Sequence, residues 1–353
     1  MATVTVLGAG MMGSALCVPL ADRGHEVRLV GTHLDGEIVA SLAASHHHPT
    51  LGLELPESIQ PLPVSQLAKA IDGADLVALG VSSAGARWAG EQLAPRLPED
   101  VPVVMITKGL DWDGASLRTM PEVVRTCLPE TSRAQLHPAA IAGPCIAGEL
   151  ARRVPSCVVV TGQDQATLDR IVALLRADYY HLWTSTDVTG VETCAALKNA
   201  YAMGIAFGTG MHLARGGSLG SVAMHNVESA VFAQAVREMR QWIRLAGGDP
   251  ESAIGLAGVG DLDVTNNGGR TGRFGALLGQ GLSRGDAIRE MKGATLECLE
   301  ILAVMREATR ALEQAGQLAS GSMPLLEHLA EVALDGAPVA LPLHRFFGED
   351  LTA

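Results

Sequence analysis

The sequence predicts an N-terminal α/β domain with a doubly wound parallel sheet, followed by an all-α C-terminal domain. The chain has 353 residues, too many for one ordinary core, and 48% of them are hydrophobic, enough to fill two. Short apolar runs of strand length alternate with helical segments in the first half. Beyond residue 190 the strand signals stop and the apolar period becomes helical. We therefore expect domains at 1–188 and 189–353.

The first element is a strand that leads through a glycine turn into a helix. A β-branched run from Val4 to Leu7 enters GAGMMG, and small residues continue as a helix from Ser14 to Asp22. Bare backbone at such a turn lets a pyrophosphate approach the helix N-terminus, so GxGxxG in this context predicts dinucleotide binding in a Rossmann-type domain. A tight turn without a ligand is the alternative. The predicted contacts to NAD or NADP are Gly8, Gly10, Met11, Met12 and Gly13.

The second strand, from His25 to Val30, leaves the choice of cofactor open. An NAD-specific enzyme often has an acid at the end of this strand, and an NADP-specific enzyme often has an arginine. This chain has Gly31-Thr32-His33 instead, which makes Thr32 a candidate contact. Asp35 could bind the ribose, although a loop aspartate is more often merely solvated. The sequence is compatible with NAD and with NADP.

Three further strands end in residues suited to a ligand site. They are predicted at Asp75 to Val81, Val101 to Thr107 and Ala139 to Ala142. Ligands of open α/β sheets bind beyond the carboxyl ends of the strands, which places Ser82 and Lys108 well. After the third strand, small residues allow backbone to approach a flat ring, at Gly143, Cys145 and Ala147. A solvated lysine and plain strand-to-helix turns are the alternatives. The last predicted elements of this domain are strands at Val158 to Thr161 and His181 to Thr184 and a helix at Gln165 to Ala177.

Composition argues against several classes of protein. A net charge of −12 does not provide the basic surface that nucleic acid requires. The six cysteines include no CxxC pair, so we expect reduced thiols and a cytoplasmic protein. No apolar run reaches about 18 residues, and the N-terminus does not have the form of a signal peptide, so membrane insertion and secretion are not expected. His46-His47-His48 suggests a metal tract, but adjacent histidines cannot all converge on one ion, so we expect a polar loop and no metal.

The candidate catalytic group lies in a helix of the second domain. Lys198 and Asn199 stand side by side in ETCAALKNAYAMG, where nearly every other residue is small or apolar. They either leave the segment into water or point together into a site. We expect a glycine-rich loop at 208–221 and long helices at 222–245 and 295–315. We also expect a ligand-facing loop at 260–275, where two acids and two arginines lie among glycines.

These segments together resemble NAD(P)-dependent glycerol-3-phosphate dehydrogenase. The resemblance spans almost the whole chain, and its motifs occur in the family's order: GAGMMG, ITKGL, GPCIAGE, ALKN, LAGVGDLDVT, GRTGRFG and MPLLEHL. The family implies a Rossmann domain followed by a helical substrate domain, a homodimer, a small phosphorylated substrate and a reaction in the cleft between the domains. Hydride would pass between nicotinamide C4 and the substrate carbon, while a lysine ammonium would stabilise the developing alkoxide and give it a proton.

The resemblance also implies roles for individual residues. Lys198, Lys108 and Asp261 match catalytic positions, and Gly143, Cys145 and Ala147 match cofactor contacts. The substrate residues would be Asn199, Thr265, Arg270 and Thr271. Arg270 would also lie near the cofactor, as would Lys292.

Four departures from the family lie in the half that shapes the substrate site. The family usually has Arg-Asn at Arg270-Thr271, Thr-Arg-Gly at Ala233-Gln234-Ala235 and an acid or amide at Lys292, and the segment 213–224 is longer than usual. The type of reaction is therefore better supported than the substrate. The alternatives are a same-fold dehydrogenase for another phosphorylated polyol or ketose, and a protein that senses NAD(P) without catalysis.

Overall fold

The computed structural model describes residues 1–133, 136–219 and 224–348, and the chain divides into two compact units. The first unit comprises Met1–Lys108 and Thr119–Glu192, and the second comprises Gly109–Arg118 and the chain from Thr193 onward. The predicted domain bounds of 1–188 and 189–353 stay a prediction.

The strands of the described residues are numbered along the chain. They are β1 (Thr3–Leu7), β2 (Glu26–Val30), β3 (His47–His48), β4 (Leu53–Glu54), β5 (Ile59–Leu62), β6 (Leu76–Leu79), β7 (Val103–Met105), β8 (Leu110–Trp112), β9 (Leu117–Thr119), β10 (Ala139–Ala142), β11 (Ser156–Thr161) and β12 (Tyr180–Ser185).

The helices are numbered in the same way. They are α1 (Met11–Asp22), α2 (Gly36–Ser45), α3 (Leu67–Ile71), α4 (Ala86–Leu93), α5 (Met120–Cys127), α6 (Glu130–Arg133), α7 (Ala147–Leu150), α8 (Gln165–Leu175), α9 (Val188–Ile205), α10 (Phe207–Ala214), α11 (His225–Leu245), α12 (Asp261–Gly268), α13 (Arg270–Gly279), α14 (Arg284–Glu290), α15 (Glu297–Gln314), α16 (Pro324–Asp335) and α17 (Leu343–Phe347).

The first unit is built on an eight-stranded sheet in the order β12-β11-β10-β7-β6-β1-β2-β5. Its neighbouring strands are parallel, except that β10 and β11 are antiparallel. The six parallel strands from β5 to β10 have the order 3-2-1-4-5-6 of a doubly wound sheet. The order reverses between β1 and β6, where Val4 is in register with Leu76. In such a sheet the ligand crevice opens at the carboxyl ends of these two strands.

Helices cover both faces of this sheet because its strands are apolar on both sides. One core contains Val4 and Val6 together with residues of α1, α2 and α8. The other contains Val77 and Leu79 together with residues of α3, α4 and α5. The predicted parallel-sheet α/β architecture is thus confirmed. It holds the carboxyl ends of the strands in fixed positions for ligand contacts.

The second unit is mainly helical, and some of its glycines allow helices to pack closely. A Cβ on Gly210 of α10 would lie 2.2 Å from the Ala276 carbonyl oxygen, and one on Gly275 of α13 would lie 2.1 Å from that of Met203. The predicted loop at 208–221 is therefore wrong over 208–214, and the predicted loop at 260–275 is wrong over 261–268 and 270–275, because the glycines let helix backbones touch. Residues 220–223, which include parts of predicted elements, lie outside the described residues.

A hairpin of β8 and β9 also belongs to the second unit, which is therefore not wholly helical. Arg118 on β9 donates to Asp111 on β8 at 2.6 Å and lies 3.7 Å from Asp113 in the turn. This hairpin was not predicted from the sequence.

Among the residues described, no helix combines the length and the apolar character needed to cross a bilayer.

Candidate active site

Three glycines bring β1, α1 and β6 together at the carboxyl edge of the sheet. Gly8 has a φ of +112°, which favours glycine. A Cβ on Gly13 would lie 2.1 Å from the Gly8 carbonyl oxygen, and one on Gly80 would lie 2.7 Å from the Gly13 Cα. Side chains here would push β1, α1 and β6 apart, and the close approach of these elements holds the first N–H groups of α1 where a pyrophosphate can bind. The turn therefore fits a dinucleotide. Gly80 was missed because it lies outside the motif.

Asp35 and His48 hold the turn from two sides through the peptide of Ala9. The Asp35 carboxylate accepts from the Ala9 N–H at 3.1 Å and from the N–H and hydroxyl of Thr32 at 2.8 Å each. His48 Nδ1 accepts from the Leu51 N–H at 3.2 Å, so Nε2 carries the proton and donates to the Ala9 carbonyl at 3.1 Å. The glycine turn is thus fixed by two distant side chains.

These contacts correct two expectations. Asp35 is not a merely solvated loop residue, and His48 is fully buried on β3 rather than part of a polar loop. Burial lowers the pKa of His48, which favours the neutral ring that this pair of hydrogen bonds requires. Thr32, a predicted cofactor contact, uses its hydroxyl to donate to Asp35. The contacts of Asp35 and His48 with Ala9 could not be inferred from local sequence, because they join residues 26 and 39 positions apart.

Gly13→Ala should weaken NAD(P)H binding by about tenfold or more, because the new Cβ would collide with the backbone of Gly8 and displace the turn. The dissociation constant can be measured by quenching of tryptophan fluorescence. Gly36→Ala is the matched control, since a Cβ at that exposed position meets nothing within 4 Å. Wild-type affinity in Gly13→Ala would contradict the proposed role of the turn.

Lys108 and Gly143 meet beyond the ends of β7 and β10. The Lys108 ammonium donates to the Gly143 carbonyl at 3.5 Å, and the side chain is partly buried. Gly143 has a φ of +123° and packs against Val158. Cys145 and Ala147, just after this turn, are partly buried, whereas Ser82 after β6 is exposed. The structure therefore brings together two of the predicted cofactor residues from separate strands.

Lys198 and Asn199 both point into the protein from α9. Their relative exposures are 6% and 5%, so the alternative of a solvated helix face is wrong. The Lys198 ammonium donates a hydrogen bond to the Asp261 carboxylate and forms an ion pair with it. A buried charge requires such a partner because desolvation is costly. The second unit thus contains a buried ammonium held by a carboxylate.

Asp261 owes its position to an irregular helix entry. A π-helical turn at Leu256–Gly260 precedes α12, and π-turns frequently occur at functional sites. A Cβ on Gly258 would lie 2.0 Å from the Ala253 carbonyl oxygen, so only glycine fits there. Thr265 follows Asp261 by one turn on α12, on the same face, and is also buried. The LAGVGDL segment therefore specifies the geometry that aims the carboxylate.

The remaining substrate candidates are distributed around α13 and α15. Asn199 donates to the Glu297 carboxylate at 2.9 Å, a contact that the sequence did not reveal. Thr271 is buried and lies near the thiol of Cys298, where it opposes the rise in pKa that burial of the thiol causes. Arg270 is exposed as the first residue of α13. Lys292 is exposed after α14, with a φ of +50°. Their predicted ligand contacts stay predictions.

Gln234, one of the departures from the family pattern, has a structural contact. It donates to the buried Glu238 carboxylate at 2.9 Å. Glu238 also accepts from the Tyr201 hydroxyl and from the N–H groups of Leu325 and Leu326 at the start of α16. Burial raises the pKa of Glu238. The amide of Gln234 thus helps satisfy an acid that caps a helix.

Each unit contributes one part of a recognisable chemistry. The first has a dinucleotide-type turn where a doubly wound sheet reverses its order, and the second has a buried ammonium paired with a carboxylate. Both are parts expected of a nicotinamide-dependent dehydrogenase.

The chain belongs to the NAD-dependent glycerol-3-phosphate dehydrogenase family. The family model for the N-terminus of NAD-dependent glycerol-3-phosphate dehydrogenase matches residues 3–168, and the family model for its C-terminus matches residues 187–342. The resemblance drawn from the motifs is thereby confirmed, as is the class of NAD(P)-dependent oxidoreductase acting on a CH–OH group.

Individual relatives agree with this membership. The NADP(+)-dependent glycerol-3-phosphate dehydrogenase of Archaeoglobus fulgidus is 39% identical over 82% of this chain and 83% of its own length. The glycerol-3-phosphate dehydrogenase [NAD(P)+] of Geobacter metallireducens is 31% identical over 95% of this chain and 93% of its own. The crystal structure of glycerol-3-phosphate dehydrogenase from Coxiella burnetii has a TM-score of 0.80 at 26% identity and covers 96% of both chains.

Proposed function

We propose that this protein interconverts sn-glycerol 3-phosphate and dihydroxyacetone phosphate, with NAD or NADP as the redox partner. The observation that carries the proposal is the buried Lys198–Asp261 pair, because a buried ammonium next to an orienting carboxylate is suited to protonate a ketone oxygen. Membership of the family supports the same reaction.

Lys198 is proposed as the general acid in the direction of reduction. NAD(P)H, when bound, supplies the hydride that reduces the carbonyl carbon. As the carbonyl oxygen gains negative charge, the Lys198 ammonium stabilises it and transfers one proton to it. The lysine then recovers a proton from solvent. Asp261 keeps the amine oriented and favours its charged form through the ion pair.

Arg270 is proposed to bind the substrate phosphate. Its exposed guanidinium stands at the N-terminus of α13, a helix of ten residues, where backbone N–H groups also favour an anion. Arginine can bind phosphate through paired N–H donors, which a lysine cannot do. Thr271, where the family usually has asparagine, contacts Cys298, so less of the phosphate contact falls to that residue than in the family pattern.

A survey of ketone substrates tests this proposal. The purified protein is given dihydroxyacetone phosphate, larger ketose phosphates and dihydroxyacetone, each with NADH and NADPH in parallel, and absorbance is followed at 340 nm. We expect the highest kcat/KM with dihydroxyacetone phosphate, because the site is proposed to serve a small phosphorylated ketone. A preference for a larger ketose phosphate would support the same-fold alternative. Tight cofactor binding without turnover of any ketone would support the alternative of a protein that senses NAD(P) without catalysis.

The cofactor preference, the assembly and the location are parts of the same proposal. The Archaeoglobus fulgidus relative is named as NADP(+)-dependent, which supports including NADPH in the survey. Homodimer formation and a cytoplasmic location are proposed from the family. All six cysteines are thiols rather than disulfides, which suits a reducing compartment.

A further inference from the structure

A carboxyl group without a hydrogen-bond partner lies in the first unit, and no role described above uses it. Glu192 on α9 has a relative exposure of 0%. Neither of its carboxyl oxygens has a hydrogen-bond partner among the residues that the structure describes. Leaving a buried polar group unsatisfied is costly, and native proteins rarely do so without a functional reason. The position of Glu192 therefore requires an explanation.

Lys108 is the charged side chain of the described first unit that acts electrostatically on Glu192. Burial is the larger influence, and it raises the pKa of Glu192 to about 8 against the opposing effect of Lys108. Asp187, just before α9, accepts from the Gly190 N–H at 3.0 Å and so caps the start of the helix. The Lys108 ammonium itself donates to the Gly143 carbonyl. The ionisation of Glu192 is thus coupled to the ammonium at the end of β7.

We propose that Glu192 is a positioning residue for Lys108, leaving its ammonium at the Gly143 carbonyl while the carboxyl is neutral and drawing it into an ion pair once the carboxyl ionises. The inference rests on the proposed function and on the roles that the family resemblance gives to Lys108, a catalytic position, and to Gly143, a cofactor contact. The carbonyl of Gly143 keeps the ammonium at the strand end, where a ligand of such a sheet binds. Ionisation of Glu192 would draw the Lys108 ammonium away from the strand end.

The consequence is a loss of activity at alkaline pH. Below about pH 8 Glu192 carries its proton and Lys108 stays in place, whereas above this value the carboxylate competes for the ammonium. With a single controlling ionisation, kcat/KM for dihydroxyacetone phosphate should fall about tenfold per pH unit above the pKa. Between pH 7 and pH 9.5 this amounts to a decrease of about thirtyfold.

The experiment compares pH profiles of kcat/KM from pH 6 to pH 10 at constant ionic strength. Glu192→Gln cannot ionise, so its decrease between pH 7 and pH 9.5 should be smaller than that of wild type by about thirtyfold. Glu192→Asp retains a titrating carboxyl and should retain the decrease. Glu91→Gln, which changes an exposed acid on α4, should follow wild type. Thermal melts establish that each variant is folded.

A second pair of variants tests whether the effect passes through Lys108. In a Lys108→Met background, changing Glu192 to Gln should leave the pH profile of the residual rate unchanged, because the group being positioned is gone. The inference fails if Glu192→Gln keeps the wild-type decrease, or if it alters the profile equally with and without Lys108. A wild-type protein that does not reduce dihydroxyacetone phosphate at all would instead refute the proposed function, so the two failures are distinguishable.

Discussion

Replacing Lys198 with alanine is expected to lower kcat for dihydroxyacetone phosphate by about a thousandfold while changing the NADH or NADPH dissociation constant by less than about threefold. General acid catalysis contributes about 10² to 10⁴ in rate, and a buried ammonium also stabilises charge on the ketone oxygen. The cofactor turn lies in the first unit and Lys198 in the second, so binding should survive. Steady-state kinetics and fluorescence titration measure the two quantities separately.

Two controls separate lost chemistry from lost folding. Lys69→Ala changes an exposed lysine of the first unit and should have wild-type kcat. Lys198→Ala leaves the Asp261 carboxylate buried and unpaired, which typically costs about 3–5 kcal/mol of stability. The double variant Lys198→Met with Asp261→Asn removes both charges, so its melting temperature should recover while kcat stays low. Near-wild-type turnover in any folded variant without Lys198 would refute its role.

Replacing Arg270 with alanine is expected to raise KM for dihydroxyacetone phosphate by about a hundredfold. A bidentate guanidinium–phosphate contact contains two charge-assisted hydrogen bonds, each contributing about 1.5–3 kcal/mol. The same variant should react with dihydroxyacetone, which has no phosphate, nearly as well as wild type does. One change removes Arg270 from the protein, and the other removes the phosphate from the substrate. The difference between their combined effect and the sum of their separate effects measures the contact between Arg270 and the phosphate.

Arg273→Ala is the matched control for this prediction. Arg273 lies one turn further along α13 and is also exposed, so its removal changes the charge of the helix by the same amount. Its KM for dihydroxyacetone phosphate should stay within about threefold of wild type, as expected for a surface charge. If the two substitutions raised KM for the phosphorylated substrate equally, Arg270 would act only through its positive charge and not through a direct contact with the phosphate.

The sheet could be predicted from the sequence because its strands are buried on both faces. Continuous apolar runs such as Leu76–Leu79 and Ala139–Ala142 have the length and composition of parallel strands, and GxGxxG specifies the turn and the helix after the first strand. The observed strands are shorter than the predicted runs at some ends, because apolar residues continue into the turns. Lys198 could also be identified from the apolar pattern, because a charged side chain in an otherwise apolar helix either reaches water or requires a partner in a site.

Other features depend on contacts between distant segments and were misread or missed. In the sequence Gly210 and Gly275 suggest loops. In the structure they lie in α10 and α13, where the lack of a side chain lets the helix backbones pack closely. Asp35 and His48 look like loop residues, although each holds the peptide of Ala9. The burial of Glu192 becomes visible only when its surroundings are known. Local residue patterns contain no information on such partners.

Chemical rescue tests the central claim that an ammonium at position 198 protonates the ketone. Lys198→Ala, saturated with cofactor and dihydroxyacetone phosphate, is titrated with methylamine and ethylamine, and kcat is followed over a range of pH. We predict that the rate rises with the concentration of the protonated amine and saturates, because the small cation enters the space left by the side chain. A folded, cofactor-bound variant whose rate does not respond to any amine would contradict the assignment, as would one that needs no amine at all.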